Sequence, residues 1–289
     1  MKNKPVLILG ATGTGKTSGA HKTVDLLSGN ILGGGLPPSR TLILNAEVKS
    51  EPVILLKEDG EYTPGVNVPY SIEARRKEVV DFVFNVMKHI KYSKSVEELE
   101  YWRGQCSIAG LPDMSEIDFV VVDSASAIME LINTEELSKK DKRAAWGVFA
   151  VKLIEWVRDI KEYPYQIFMT GLPTRSEGED KDCMAVRGQA ASNGAIEKEF
   201  MFVAWTKQHK YTGGDWDGYV KLITYRFAPN VKDTARAPLG MFEFDEEANF
   251  MNIYDKINIA YNLPEYTCEG FTKLRRTKGT YATYQKSDI

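Results

Sequence analysis

Cysteine and histidine are scarce in this chain, with three of each in 289 residues. Cys106, Cys183 and Cys268 lie far apart and form no CxxC pair. That spacing argues against a disulfide frame and against a zinc site, and three reduced thiols suit a cytosolic protein. His21, His89 and His209 are equally scattered, so no metal cluster is expected from them. Long apolar runs are missing too: none approaches the ~18 residues of a membrane span. The opening MKNKPVLILGATG has basic residues and an apolar run, faintly like a signal peptide. The run is too short and enters a glycine loop, so it reads as a core strand, and the cytoplasm is the expected location. A strong charge of one sign is also absent, the formal net charge being −3. Any nucleic-acid contact would therefore need local basic patches. No internal repeat is visible.

What is present fits an ordinary globular protein. Hydrophobic residues make up 43% and charged residues 27%. The length suffices for one large α/β domain, or for a domain of roughly 200–250 residues with an appendage.

The first 170 residues alternate strand and helix patterns. PVLIL (5–9) is a short apolar run bounded by glycine, as in a strand buried on both faces. Residues 17–27 read as a helix with Ala20, Val24 and Leu27 on one side. Residues 28–40, rich in glycine and proline, read as a connector. TLILNAE (41–47) is a second buried strand. Residues 71–92 carry a helical pattern, with Ser71 as the expected cap and Val79, Val80, Phe82, Val83, Val86 and Met87 as its apolar face. A further helix is expected over 96–103. IDFVVVDSAS (117–126) is the clearest strand, followed by a helix over 146–160 and a strand at YQIFMTG (165–171). The polar segment 172–194 is longer than an ordinary connection. Residues 200–206 and 219–225 read as antiparallel strands joined through YTGGDWDG. This alternation is the βαβ signature of a mostly parallel sheet covered by helices on both faces. The expected division is a domain over 1–245 and a basic, flexible extension over 246–289.

Residues 10–17, GATGTGKT, satisfy GxxxxGK[ST] in full, after a buried strand and before an expected helix. Glycines let backbone N–H groups turn inward around phosphate oxygens, and a helix N-terminus adds a positive dipole end. The expected phosphate-binding residues are Gly10, Ala11, Thr12, Gly13, Thr14, Gly15, Lys16, Thr17 and Ser18. Lys16 reaches the β- and γ-phosphates, and the Thr17 hydroxyl is a Mg²⁺ ligand. Asp123, closing IDFVVVD, is placed as the acid that holds Mg²⁺ through water. Ser124 and Ser126 lie beside it, with open roles. Hydrolysis also needs a group that orients or deprotonates water. The residue after Asp123 is a serine, and Glu130 lies inside a helix. Glu47, at the end of the neighbouring strand TLILNAE, is the better placed.

A magnesium Asp followed by Ser, with the catalytic Glu on another strand, resembles the RecA-like branch of P-loop ATPases. LNAEVKS resembles the strand-ending acid of RecA, and VVVDSASAI its Asp–Ser pattern. The chain is most similar, over roughly residues 4–245, to compact phage RecA-like ATPases that include the Sak-type single-strand annealing group. The resemblance implies a RecA-like P-loop fold with a C-terminal antiparallel hairpin, ATP and Mg²⁺, and host cytoplasm as location. It implies action on single-stranded DNA in recombination, annealing or replication, and a homo-oligomeric ring or filament. It also implies that Lys232 or Arg236, after the last strand, reaches a neighbour's γ-phosphate as a finger. FMTGLPTR lacks the His or Gln that many relatives carry as a γ-phosphate sensor, leaving Thr170, Thr174 or Arg175 to substitute.

DNA contacts implied by position fall on Arg175, Lys181 and Arg187, amid Glu177, Glu179, Asp180 and Asp182. The tail offers Lys273, Arg275, Arg276 and Lys278, interleaved with Tyr281 and Tyr284, a better stacking-plus-charge recipe. ATP is expected over GTP because no NKxD guanine-reading motif is present. A small-molecule kinase on the same fold is an alternative class, although no arginine-rich lid is visible. A third class is an ATP-driven assembly or packaging protein, although no acidic nuclease cluster accompanies the loop.

Overall fold

The computed structural model describes residues 4–21, 23–24, 31–33, 35–47, 65, 68–138, 142–175, 182–185 and 196–261. Its strands are β1 (Val6–Leu9), β2 (Thr23–Val24), β3 (Ile31–Gly33), β4 (Thr41–Asn45), β5 (Tyr70–Glu73) and β6 (Phe119–Asp123). They continue with β7 (Gln166–Gly171), β8 (Pro173–Arg175), β9 (Asp182–Met184), β10 (Phe202–Lys210), β11 (Val220–Arg226) and β12 (Glu246–Glu247). The helices are α1 (Lys77–Ile90), α2 (Val96–Ile108), α3 (Ala125–Leu137), α4 (Lys142–Ile160) and α5 (Phe250–Tyr261). Among these residues no helix is long and apolar enough to cross a membrane.

Eight strands form one sheet in the order β12-β11-β10-β1-β7-β6-β4-β5. From β10 to β5 every neighbouring pair is parallel; β11 and β12 are antiparallel additions at one edge. The expected α/β class, mostly parallel sheet and C-terminal hairpin are therefore present. Strands β1 and β7 are buried throughout, as parallel strands covered on both faces must be.

Alternation along β1 splits the core. Leu7 and Leu9 face one layer with Val83 and Met87 of α1, Ile128 of α3 and Leu153 and Val157 of α4. Val6 and Ile8 face the other, with Phe168, Phe202, Phe227 and Phe250. There α5 covers the sheet with Phe250, Ile253 and Ile257, one stripe at spacings of three and four. Asn249 starts this helix, its Oδ1 accepting from the Met251 and Asn252 amides at 3.0 and 3.3 Å. The expected domain boundary at 245 thus falls just before a helix that packs into the core.

Two local expectations are overturned. The described residues of the expected helix 17–27 are not α-helical: Ser18–Ala20 make a single 3₁₀ turn, His21 is extended, and Thr23 and Val24 pair with β3. The Ala20 carbonyl, which a continuing α-helix would give to Val24, instead accepts from the Leu36 amide at 3.0 Å. Gly19, Thr23 and Val24 are also weak helix formers. Ser71 caps nothing, because it lies within β5; α1 starts six residues later from Arg76 without a side-chain cap. The other helices run longer than expected, α2 to Ile108 and α4 from Lys142. The polar segment after β7 contains the short hairpin β8–β9.

Candidate functional site

Strand β1 ends in the glycine loop, whose backbone turns at Gly13 and Gly15 with φ of +76° and +83°. Only glycine adopts these values without strain. Residues 11–13 are exposed, so the crest of the loop is open. Its base is closed: a Cβ on Gly10 would collide with the Thr206 hydroxyl, and one on Gly15 with Ile223 Cδ1. Lys16 is 5% exposed, and its Nζ donates to the Gly10 and Ala11 carbonyls at 2.9 and 3.0 Å. The ammonium is thereby curled inside its own loop, where an arriving anion competes with two carbonyls for it.

The sheet order places the rest. β7 lies between β1 and β6, so its last residues stand between the loop and the end of β6. Asp123 projects there. Its Oδ2 accepts from Thr17 Oγ1 at 2.8 Å and its Oδ1 from Thr170 Oγ1 at 2.6 Å. Thr170 is fully buried, whereas Asp123 is half-buried. An ionised carboxylate is acceptor-only, and two hydroxyl donors from opposite sides hold it in one orientation. Of the three residues expected to substitute for a sensor, Thr170 reaches the carboxylate. Thr174 and Arg175 are exposed on β8, where Arg175 stands 3.7 Å from Asp182.

Glu47 follows β4 on the other flank. The Ala46 and Glu47 amides donate to the Asp123 carbonyl oxygen at 2.6 and 3.2 Å, which seats the half-buried Glu47 beside the end of β6. The two serines are structural. Ser124 caps α3, accepting from the Ala127 amide at 3.3 Å, and Ser126 Oγ accepts from the Leu172 amide at 3.0 Å.

The hairpin β10–β11 supplies partners that sequence reading did not find. Thr206 Oγ1 donates to Thr14 Oγ1 at 2.8 Å, and Gln208 Nε2 to the Gly13 carbonyl at 3.0 Å. The Tyr225 hydroxyl, buried under the loop, accepts from the Gly19 amide at 3.1 Å and faces the Lys16 and Gly15 carbonyls at 2.9 and 3.2 Å. These contacts join residues about 200 positions apart, and nothing in the local pattern announces them. His21, half-buried just after the 3₁₀ turn, has its pKa lowered to about 4 by desolvation against an opposing pull from Asp123.

The other expected residues stand apart. Lys232 is exposed, its amide donating to Asn230 Oδ1 at 2.6 Å. Arg236 exchanges two backbone hydrogen bonds of 2.9 Å with Val203, level with Leu7 of β1 and below the loop. Neither is brought to the glycine loop of its own chain. Lys181, Arg187, Lys273, Arg275 and Arg276 lie outside the described residues.

No protein-family model matches this chain, and no curated protein is similar to it in sequence.

The donor set suits a hard cation of the magnesium type. One hydroxyl and one carboxylate beside an open loop leave the remaining positions to water and phosphate oxygens, as Mg²⁺ prefers. Among the described residues no cluster of three or more His, Cys, Asp and Glu is arranged to chelate a metal. One expectation falls away with the missing helix: a 3₁₀ turn of three residues supplies no long dipole. An anion arriving here would meet the loop backbone and Lys16 instead.

Proposed function

We propose that this chain is a magnesium-dependent ATPase of the RecA-like P-loop kind that acts on single-stranded DNA, in phage recombination, annealing or replication. The observation that carries the reading is the Asp123 carboxylate, held between Thr17 of the loop and Thr170 of β7. The placing of β7 between β1 and β6 and the enclosure of Lys16 support it. Bound Mg²⁺-ATP supplies a phosphoanhydride whose cleavage drives the protein's work. Lys16 exchanges two carbonyls for phosphate oxygens and neutralises their charge. The Thr17 hydroxyl and the Asp123 carboxylate are the groups that would hold Mg²⁺, Asp123 through water. Thr170 keeps Asp123 aimed. Glu47 is the base that orients and deprotonates the attacking water. Lys232 or Arg236 would act on the loop of a second copy in a ring or filament, which agrees with their distance from their own loop.

The test is ATP hydrolysis by the purified protein, titrated with single-stranded DNA at low and moderate salt. Turnover should rise with DNA, and the stimulation should weaken as salt increases. Turnover that ignores DNA would remove the nucleic-acid half of the reading and point to a protein or small-molecule partner. Absence of both ATP binding and turnover would remove the whole.

A further inference from the structure

The pairing of β10 with β1 ends at Trp205, opposite Leu9, yet β10 runs on to Lys210 and pairs with β11 alone. This two-stranded ribbon projects past the end of β1, on the side of the glycine loop. Its tip is tightly built. Gly213, Gly214 and Gly218 adopt φ of +79°, +73° and +80°. The Tyr211 amide donates to the Tyr219 carbonyl at 2.9 Å, and the Gly213 amide to Asp217 Oδ1 at 2.9 Å. On this frame Trp216 is 48% exposed and Tyr219 61%, with ring centroids 5.6 Å apart at 74°. Lys221 Nζ stands 5.6 Å from the Tyr211 ring centroid, and Lys210 is exposed at the base of the tip.

Open aromatic rings on an ordered turn contribute nothing to the core. We infer that this tip is a nucleobase-stacking surface for single-stranded nucleic acid, mechanically tied to the glycine loop. The chemistry favours that occupant over a protein. Residues 211–219 contain aromatic faces but no aliphatic side chain; Val220 and Leu222, partly open, belong to the stem. Bases stack on aromatic faces whatever their identity, while Lys210 and Lys221 suit the phosphates between them. Two exposed acids share the tip, Asp215 and Asp217, the latter accepting from the Gly213 amide through Oδ1, so the open aromatic faces and not a net positive charge carry the inference. The stem gives the mechanical link. Thr206, Gln208 and Tyr225 hydrogen-bond Thr14, Gly13, Lys16 and Gly19, so any shift of the loop is felt by the ribbon. Coupling of this kind is reciprocal: nucleotide at the loop alters affinity at the tip, and strand at the tip alters affinity at the loop. The coupling rests on the ATP reading; the stacking surface stands without it.

The full chain is titrated into a fluorescent oligothymidylate at low salt, by anisotropy, alongside a separate titration with a fluorescent ATP analogue. The Trp216→Ala/Tyr219→Ala double variant should lose affinity for the oligonucleotide by about tenfold or more. Trp216→Phe should keep most of it, and all three proteins should bind the ATP analogue equally. Gln208→Ala should bind the oligonucleotide but respond less to added ATP analogue. Unchanged oligonucleotide affinity in the double variant overturns the inference, as does wild-type protein that binds the ATP analogue but no oligonucleotide. Wild-type protein that binds the oligonucleotide through the tip but no ATP analogue leaves the surface standing and removes the ATP reading. Binding of neither removes both. If the double variant instead changes the sedimentation of protein alone, the tip is a contact between copies, and the inference fails.

Discussion

The Thr170 hydroxyl donates to Asp123 Oδ1 at 2.6 Å from a position with no exposure to solvent. Hydrogen bonds to an ionised group are worth roughly 1.5–3 kcal/mol, more than neutral ones. Thr170→Val keeps the shape and removes the donor. Its turnover should fall roughly 10- to 100-fold, the rate equivalent of that energy, with little change in nucleotide affinity. Thr170→Ser should restore most of the rate. Steady-state hydrolysis and a separate binding titration check this, and a valine variant with full turnover would show that Asp123 needs only Thr17.

Glu47, just past the end of β4, sits beside Asp123 at the end of β6, the two linked through the Glu47 amide and the Asp123 carbonyl at 3.2 Å. Glu47→Gln preserves size and removes the proton acceptor. It should bind ATP normally and hydrolyse it at least ~100-fold more slowly, the scale of a lost general base. Lys16→Ala should fail earlier, at binding. Equilibrium binding and single-turnover hydrolysis separate the two losses, and normal single turnover in Glu47→Gln would take that residue out of the chemistry.

Sequence reading reached β1, β4, β6 and β7 because each is an apolar run closed by glycine or acid, and the candidates Lys16, Thr17 and Asp123 because a glycine-loop motif and a strand-ending acid are local signals. The hairpin was equally legible from its two runs around YTGGDWDG. Tyr225 and Gln208 were not, since what they touch, the loop, lies 209 and 195 positions away in the chain. The helix expected after the loop failed for a tertiary reason: Leu36 captures the Ala20 carbonyl and ends the turn. The helix α5 was within reach, given Asn249 and the spacing of Phe250, Ile253 and Ile257, but lay in a stretch set aside as an extension.

Gly19 presses directly on the hairpin layer. A Cβ there would stand 2.5 Å from Phe250 Cδ1 and 2.9 Å from the Tyr225 hydroxyl. Phe250 is fully buried and stacks on Phe168 at 4.3 Å, so it has nowhere to retreat. Gly19→Ala should cost about 1–3 kcal/mol, the usual range for overpacking, and lower the melting temperature by several degrees. Gly104, exposed in α2 with open space at its Cβ, is the contrast. Gly104→Ala should stabilise by roughly 0.5–1 kcal/mol through backbone entropy alone. Thermal or urea melts of both variants test the pair, and equal shifts of one sign would contradict this account of Gly19.

His21 makes stability depend on pH. Burial lowers its pKa from 6.5 to about 4, so the folded chain holds it neutral where the unfolded chain binds a proton. Between those values the unfolded state carries the extra proton, and stability rises with pH. The contribution is complete above pH 6.5 and is lost as the pH falls toward 4. A shift of this size corresponds to about 3 kcal/mol in all. Urea melts without magnesium at pH 5 and pH 7.5 should show the wild type losing stability over this interval. His21→Gln, which takes up no proton, should lose less. Glu199 does not confuse the comparison, because Arg158 and Lys161 lower its pKa from 4.5 and move its titration further toward acid. Equal losses in wild type and His21→Gln would place the pH dependence on another group and leave His21 without a titrating role.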